Sequence, residues 1–299
     1  MSTPVEITTA LLRSMPLPDY SPEAHKGDYG KLLVIAGSRQ LPGAPILVAR
    51  AALRAGCGSV RVAAPKSIAV QIGIAFPELM VVPLPETDHG ALATGALAIL
   101  EDLYAPCDAA VIGPGLGQHA QTRALIHHVI GSATLPLAID AEALHALGAI
   151  ERVERKEAPP APRVYTPHPT EMSWLMDADP EEINRNREST SLEFVRYTGG
   201  TLILKGRHTL ITSTTGEQYV NTAGTRGLAT AGSGDTLVGI TASLLAQGME
   251  PTHAAIWAVH LHALAGEAAA RDLGEDGLLS SDFTERLPRV VHALREQTS

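Results

Sequence analysis

Short apolar runs rich in β-formers alternate along this chain with longer stretches whose apolar residues recur at helical spacing. KLLVIAG (31–37), SVRVAAP (59–65), LMVVPLP (79–85), DAAVIGPGLG (108–117), LPLAIDAEAL (135–144), RVYTPHP (163–169) and TLILKG (201–206) each read as a buried strand ending in glycine, proline or a polar turn. GAPILVARAALRAG (43–56) reads as an almost wholly apolar helix, with a proline near its start and Gly56 as its stop. TLVGITASLLAQG (236–248) sets Leu237, Ile240, Thr241, Leu244 and Leu245 at helical spacing, and THAAIWAVHLHALAGEAAARDLG (252–274) continues with a second buried helix. Strand and helix in repeated alternation predict an α/β fold, a mainly parallel central sheet with helices on both faces. KGRHTLITSTTGEQYVN (205–221) breaks that rhythm and predicts a β-hairpin at one edge of the sheet. The charged, then proline-rich stretch 151–163 is expected to be an exposed loop, so residues 1–299 are read as one domain.

Composition narrows the class without choosing a function. The 299 residues include 45% hydrophobic and 18% charged side chains, which suits a globular enzyme and not a disordered chain. A net charge of −9 disfavours nucleic acid and anionic membranes as partners, so any anionic ligand must be held by a local site. Cys57 and Cys107 lack CxxC spacing and are expected to be buried free thiols in a reducing, cytoplasmic setting. The N-terminal residues show no secretory pattern, and no run approaches the roughly 18 apolar residues of a membrane span.

The strongest chemical candidate is GLATAGSGDT (227–236). Its glycines allow close backbone approach, and the helix that follows supplies unpaired N–H groups and a positive dipole end, together an anion hole. Asp235 stands at that helix start, where it is either an N-cap or a group that takes a proton beside a phosphate. TPHPTE (166–171) places His168 on a stiff turn at the carboxyl edge of the sheet, open to solvent or to a ligand. VIGPGLG (111–117) is a strand-end glycine turn without the dinucleotide spacing GxGxxG. LILKGRHTLI (202–211) sets Lys205 at a strand end, as an exposed hairpin lysine or as a cation for a phosphate. His25, Lys26 and Asp28 before the first strand form a weak cluster with Gly37 and Ser38 after it. The pairs His127, His128 and His260, His262 have spacings that do not share a helix face, so no metal site is read from them.

Taken in order, KGDYGKLLVIAGS, GAPILVARAALRAGCGSVRVAAP, VIGPGLG, LAIDAEAL, TPHPTEMSWL, LILKGRHTLI and NTAGTRGLATAGSGDTLVGITASLLAQG resemble the ADP-dependent NAD(P)H-hydrate dehydratase family. These are carbohydrate-kinase-like members of the ribokinase-like fold. The resemblance implies repair of hydrated NADH or NADPH, the S-epimer, by phosphorylation of its C6 hydroxyl and elimination of phosphate, with ADP as donor, ATP as a possible alternative, and Mg²⁺. It implies that Asp235 is the catalytic base and touches the hydrate together with Ala44, His168, and Gly115 or Gly117, of which Gly117 is favoured. It implies that Lys205, Gly206, Arg207, His208 and Thr209, with Gly232, Ser233 and Gly234, line the nucleotide site.

Metal ligands are left unassigned, with Glu171 a weak candidate for a water-mediated Mg²⁺ contact. The chain departs from the family pattern at Thr170, Ala223, Arg226 and Ala231. The resemblance further implies a stand-alone dehydratase, assembled as a homotetramer and working with a separate epimerase. Two other readings use the same loop: a ribokinase-like kinase acting on a vitamin-precursor alcohol, and a nucleotide-sensing protein without turnover.

Overall fold

Leu32 and Val34 pack into one hydrophobic cluster and Leu33 and Ile35 into another, so a single strand feeds cores on both of its faces. The same division repeats along the chain: Val111 and Ile203 face one way, Ile112, Leu202 and Leu204 the other. The computed structural model describes residues 3–150 and 159–298, and these runs form its one ten-stranded sheet. The strands are β1 (Val5–Glu6), β2 (Lys31–Ile35), β3 (Ser59–Pro65), β4 (Met80–Leu84), β5 (Ala109–Ile112), β6 (Leu137–Ile139), β7 (Arg163–Tyr165), β8 (Thr201–Leu204), β9 (Thr209–Thr212) and β10 (Gln218–Asn221). Their order across the sheet is β1-β10-β9-β8-β7-β6-β5-β2-β3-β4.

All pairings from β4 to β8 are parallel, as expected for strands joined by helices. The chain leaves β2 toward β3 and β4 in one direction, then returns to β5 and proceeds through β8 in the other. Loops after β2 and β5 therefore diverge, and that crevice at the carboxyl ends is where such sheets bind ligands. One face carries the helices Ala44–Arg54, Ser233–Ala246 and Pro251–Leu273; the other carries Leu97–Tyr104, Ala120–Ser132, Pro169–Met176 and Arg187–Thr198. Trp257 is fully buried and donates its indole N–H to the Met15 carbonyl at 2.7 Å, tying the N-terminal segment to the first face.

Several expected boundaries move. The strand expected over 135–144 is three residues long, because Ala141 at φ 50° turns the backbone and residues Glu142–Leu147 are helical. Periodicity missed this since Ala, Leu and Glu suit both elements. The run 108–117 leaves the sheet after Ile112, where the glycine turn begins. Strands β9 and β10 do form an antiparallel hairpin, but β1 adds in parallel outside β10, so the hairpin is one strand in from the edge. Cys57 is buried as expected, while Cys107 is half-exposed; both are free. Residues 151–158 of the expected loop lie outside the described residues.

Candidate active site

The glycine-rich loop enters its helix through Gly232, which takes the cap position at φ 80°. A methyl group there would lie 2.5 Å from Leu47 Cδ1 and 2.9 Å from Ser280 Oγ, so the position requires glycine on two counts. Asp235 is the third residue of the helix Ser233–Ala246 and not its cap, which removes the capping alternative. Among the described residues its carboxyl has no hydrogen-bond partner. Burial, helped by the charges of Asp140 and Glu142 and opposed by Lys205, pushes it up to about 7.

Those charges arrive from the ends of neighbouring strands. Asp140 follows β6, is 2% exposed, and accepts from Lys205 Nζ at 2.9 Å and from the Thr166 hydroxyl at 2.7 Å. Lys205 follows β8 and also lies 3.5 Å from Glu171 Oε2. The two carboxylates outweigh the burial penalty on the ammonium, so Lys205 is held above its ordinary value. A methyl group at Gly234 would lie 3.4 Å from Lys205 Nζ and 3.6 Å from Asp140 Oδ2, so the loop sits directly on this ion pair.

His168 caps the helix Pro169–Met176: its Nδ1 accepts from the backbone N–H of Thr170 and Glu171, at 3.1 and 3.3 Å. Because Nδ1 is occupied as an acceptor, Nε2 is the nitrogen that carries the proton and can donate. Glu171 completes the cap by accepting the His168 backbone N–H at 2.7 Å.

Ala44 and Gly115 meet at the diverging loops. A methyl group at Gly115 would lie 2.9 Å from Ala44 Cβ and 3.0 Å from the Leu41 carbonyl oxygen. Gly115 donates its N–H to Glu142 at 3.0 Å, and burial holds Glu142 above its ordinary value. Gly115 is buried, whereas Gly117 is half-buried with nothing nearer than 4.0 Å to an added methyl, which leaves Gly117 the more open to a ligand. Ala141, between Asp140 and Glu142, holds φ 50° and ψ −125°, a strained conformation for alanine, and the two carboxylates that flank it both act on Asp235.

Gly206, Arg207 and His208 are exposed in the loop after β8, and the Thr209 hydroxyl closes on the Gly206 carbonyl at 3.1 Å. This loop is held from behind by Arg187, which donates to the carbonyls of Leu204 at 2.6 Å and of Lys205 and His208 at 3.2 Å. The His25–Asp28 pair is a surface contact.

Asp140, Glu142 and Arg187 were not singled out in the sequence, and His262 was weighed only as a metal ligand. Asp140 directly follows β6 and lies level with Thr166, two residues before His168, at the end of the neighbouring strand, so strand-end position could have found it; Arg187 acts through the fold and leaves no local signal. Among the described residues no group of three or more His, Cys, Asp and Glu is arranged to hold a metal ion. Asp140 and Glu171, both engaged by Lys205, fit water-mediated contact with a cation carried by phosphates, and not a protein cage. No helix among the described residues is long and apolar enough to cross a membrane.

A family model described as NAD(P)H-hydrate dehydratase matches residues 32–289. The chain is 36% identical to the ADP-dependent (S)-NAD(P)H-hydrate dehydratase of Xanthomonas campestris, covering 96% of each. It is 40% identical to the bifunctional NAD(P)H-hydrate repair enzyme of Thermofilum pendens, covering 94% of this chain and 53% of that one. It thus spans about half the length of the bifunctional relatives it matches. The structure superposes on the ADP/ATP-dependent NAD(P)H-hydrate dehydratase of Bacillus subtilis, crystallised with ATP and Mg²⁺, with TM-score 0.81, 29% identity and 98% and 99% coverage. With a ribokinase-like sheet, the seven motifs in order and a match over most of its length, the chain belongs to the NAD(P)H-hydrate dehydratase family.

Proposed function

We propose that this chain dehydrates the S-epimer of hydrated NADH or NADPH, using ADP, or ATP in its place, and releasing AMP (or ADP) and phosphate. The observation that carries the reading is Asp235: an unpaired carboxyl tuned to about 7, at the start of a helix, beside the glycine loop that rests on Lys205 and Asp140. A base of that strength takes a proton readily at neutral pH. The C6 hydroxyl gives its proton to Asp235 as its oxygen attacks the terminal phosphorus, and the bond from that phosphorus to the leaving nucleotide breaks. The C6–O bond then breaks with loss of phosphate, a far better leaving group than hydroxide, and a proton lost from C5 restores the ring double bond.

Gly232, Ser233 and Gly234 receive the phosphates at the helix N-terminus, and Lys205 offsets the charge that gathers there. The loop from Lys205 to Thr209 lines the nucleotide, while Ala44, Gly117 and the Nε2–H of His168 face the hydrate. Magnesium, carried with the phosphates, supplies further charge neutralisation, with Glu171 and Asp140 as outer contacts. The resemblance and the exposed Val70, Ile74 and Met80 beside the edge strand β4 support a homo-oligomer, a tetramer in this reading. A cytoplasmic location and dependence on an epimerase for the R-epimer complete it.

Incubation with hydrated NADH, Mg²⁺ and ADP, then ATP, tests the proposal through recovery of the nicotinamide absorbance and release of phosphate. No recovery with either nucleotide would sink it, and a stable phosphorylated product would mark a small-molecule kinase instead.

A further inference from the structure

His262 lies in the middle of the helix Pro251–Leu273, 8% exposed, with its ring edge-on to Phe283 at 5.3 Å. Its Nε2 is 3.2 Å from the hydroxyl oxygen of Ser233, the first residue of the helix that carries Asp235. Nothing in the dehydration chemistry above uses this histidine. A buried polar ring is costly to place without partners, and His262 has two in Ser233: its backbone, and its hydroxyl, which has a choice of direction.

That choice follows from proton counting. A hydroxyl has one proton and two lone pairs, and a neutral imidazole has one N–H and one acceptor nitrogen. Burial drives His262 down to about 4, with Lys205 adding to the effect, so the ring is neutral at working pH. If Nε2 is the acceptor, Ser233 spends its proton on His262 and shows only lone pairs to the site, which repels an anion. If Nε2 carries the proton, it donates to the Ser233 oxygen, and the Ser233 O–H is free to point outward to a phosphate oxygen.

We propose that His262 is a positioning residue for nucleotide binding, whose Nε2–H holds the Ser233 oxygen so that the Ser233 hydroxyl donates to the phosphate. This rests on the reading of residues 232–235 as the phosphate loop. The bound anion and the tautomer are linked, each favouring the other.

Two measurements on the intact protein test it. With histidine labelled by ¹⁵N, the His262 ring, assigned by its loss in His262→Gln, should show a protonated Nε2 and bare Nδ1 when ADP and Mg²⁺ are bound; the opposite tautomer in the complex overturns the proposal. In calorimetric titration, Ser233→Ala and His262→Phe should each weaken ADP binding by about threefold to tenfold, the effect of one net hydrogen bond. The double variant should bind no more weakly than Ser233→Ala alone, and His262→Gln, which keeps a donor, should recover part of the loss. Losses that multiply in the double variant overturn the proposal. If Ser233→Ala weakens binding and His262→Phe does not, the role of His262 falls while the phosphate loop stands; if neither matters, the proposal falls and the loop is left with its backbone N–H groups, and absence of any ADP binding in the parent would overturn the loop itself. Should His262→Phe fail to fold, the tautomer in the unaltered protein decides.

Discussion

Lys205 Nζ and Asp140 Oδ1 meet at 2.9 Å next to Gly234, so the glycine-rich loop rests on a largely buried ion pair. Two carboxylates, Asp140 and Glu171, share that one ammonium. Lys205→Met leaves both without their counter-charge and should destabilise the protein by about 1–3 kcal/mol, the cost of leaving a partly buried charged group without its hydrogen bond. Lys205→Met with Asp140→Leu should recover much of that loss, since an apolar replacement removes the stranded charge. Urea unfolding of the parent and the two variants reads the difference, and a single variant as stable as the parent would show that the pair is not desolvated.

The same charges set a pH limb. In the proposed reaction Asp235 acts as a base only when ionised, and with its carboxyl at about 7 the kcat/KM for the hydrate should rise as pH climbs through that value. Asp140 raises Asp235 and Lys205 lowers it, so Asp140→Asn should move the midpoint down and Lys205→Met should move it up. A limb that ignores both changes would assign the titration to another group.

The sheet was legible because its strands are buried on both faces and announce themselves as continuous apolar runs; what misled was the junction of strand and helix. In LAIDAEAL apolar residues continue on both sides of Asp140, and only the backbone of Ala141 shows where one element stops. The loop 227–236 was legible for the complementary reason, that a cluster of glycines before an apolar helix has few other uses. His262 is set aside in the sequence because its spacing from His260 argues against a shared metal, while its partner in the fold, Ser233, is 29 residues away. Asp140 was similarly hidden: its meaning comes from Lys205, 65 residues on and two strands across.

Function here opposes stability. The folded protein holds the Asp235 proton more tightly than the unfolded chain, whose carboxyl sits near 3.8, so stability declines as pH rises from about 4 toward 7. Asp235→Asn mimics the protonated form and removes the decline. It should unfold at higher urea than the parent at pH 8, with the gap closing as pH approaches 4, while turnover falls by about 10²–10⁴ and ADP still binds.

Ala141 stores strain between two working carboxylates. Glycine takes φ 50° and ψ −125° freely, so Ala141→Gly should relieve about 1–3 kcal/mol, offset by about 0.4–1 kcal/mol of added freedom in the unfolded chain. The expected variant is slightly more stable and slower, because Asp140 and Glu142 are no longer held in one orientation. Ala141→Val, branched at the strained position, should be clearly destabilised. Thermal unfolding alongside kcat separates these outcomes, and a less stable Ala141→Gly would show that the alanine conformation carries no strain.

Arg187 makes the sharpest distinction between charge and shape. Its guanidinium donates to three carbonyls, those of Leu204, Lys205 and His208, and no carboxylate pairs with it among the described residues. These carbonyls belong to the end of β8 and to the loop proposed to line the nucleotide, and without a donor behind them they would be free to turn toward bound phosphates, which their partial charge repels. Arg187→Met should therefore cost about 1–3 kcal/mol of stability for the carbonyls left unpaired and raise the Kd for ADP, while the pH midpoint set by Asp235 stays where it is. Arg187→Lys keeps the charge but loses the planar fork, and a single ammonium cannot reach three carbonyls in the geometry the guanidinium spans. If shape is what matters, lysine should behave like methionine in the ADP titration. If lysine instead restores binding, Arg187 acts as a distant positive charge on the phosphates and the loop needs no brace.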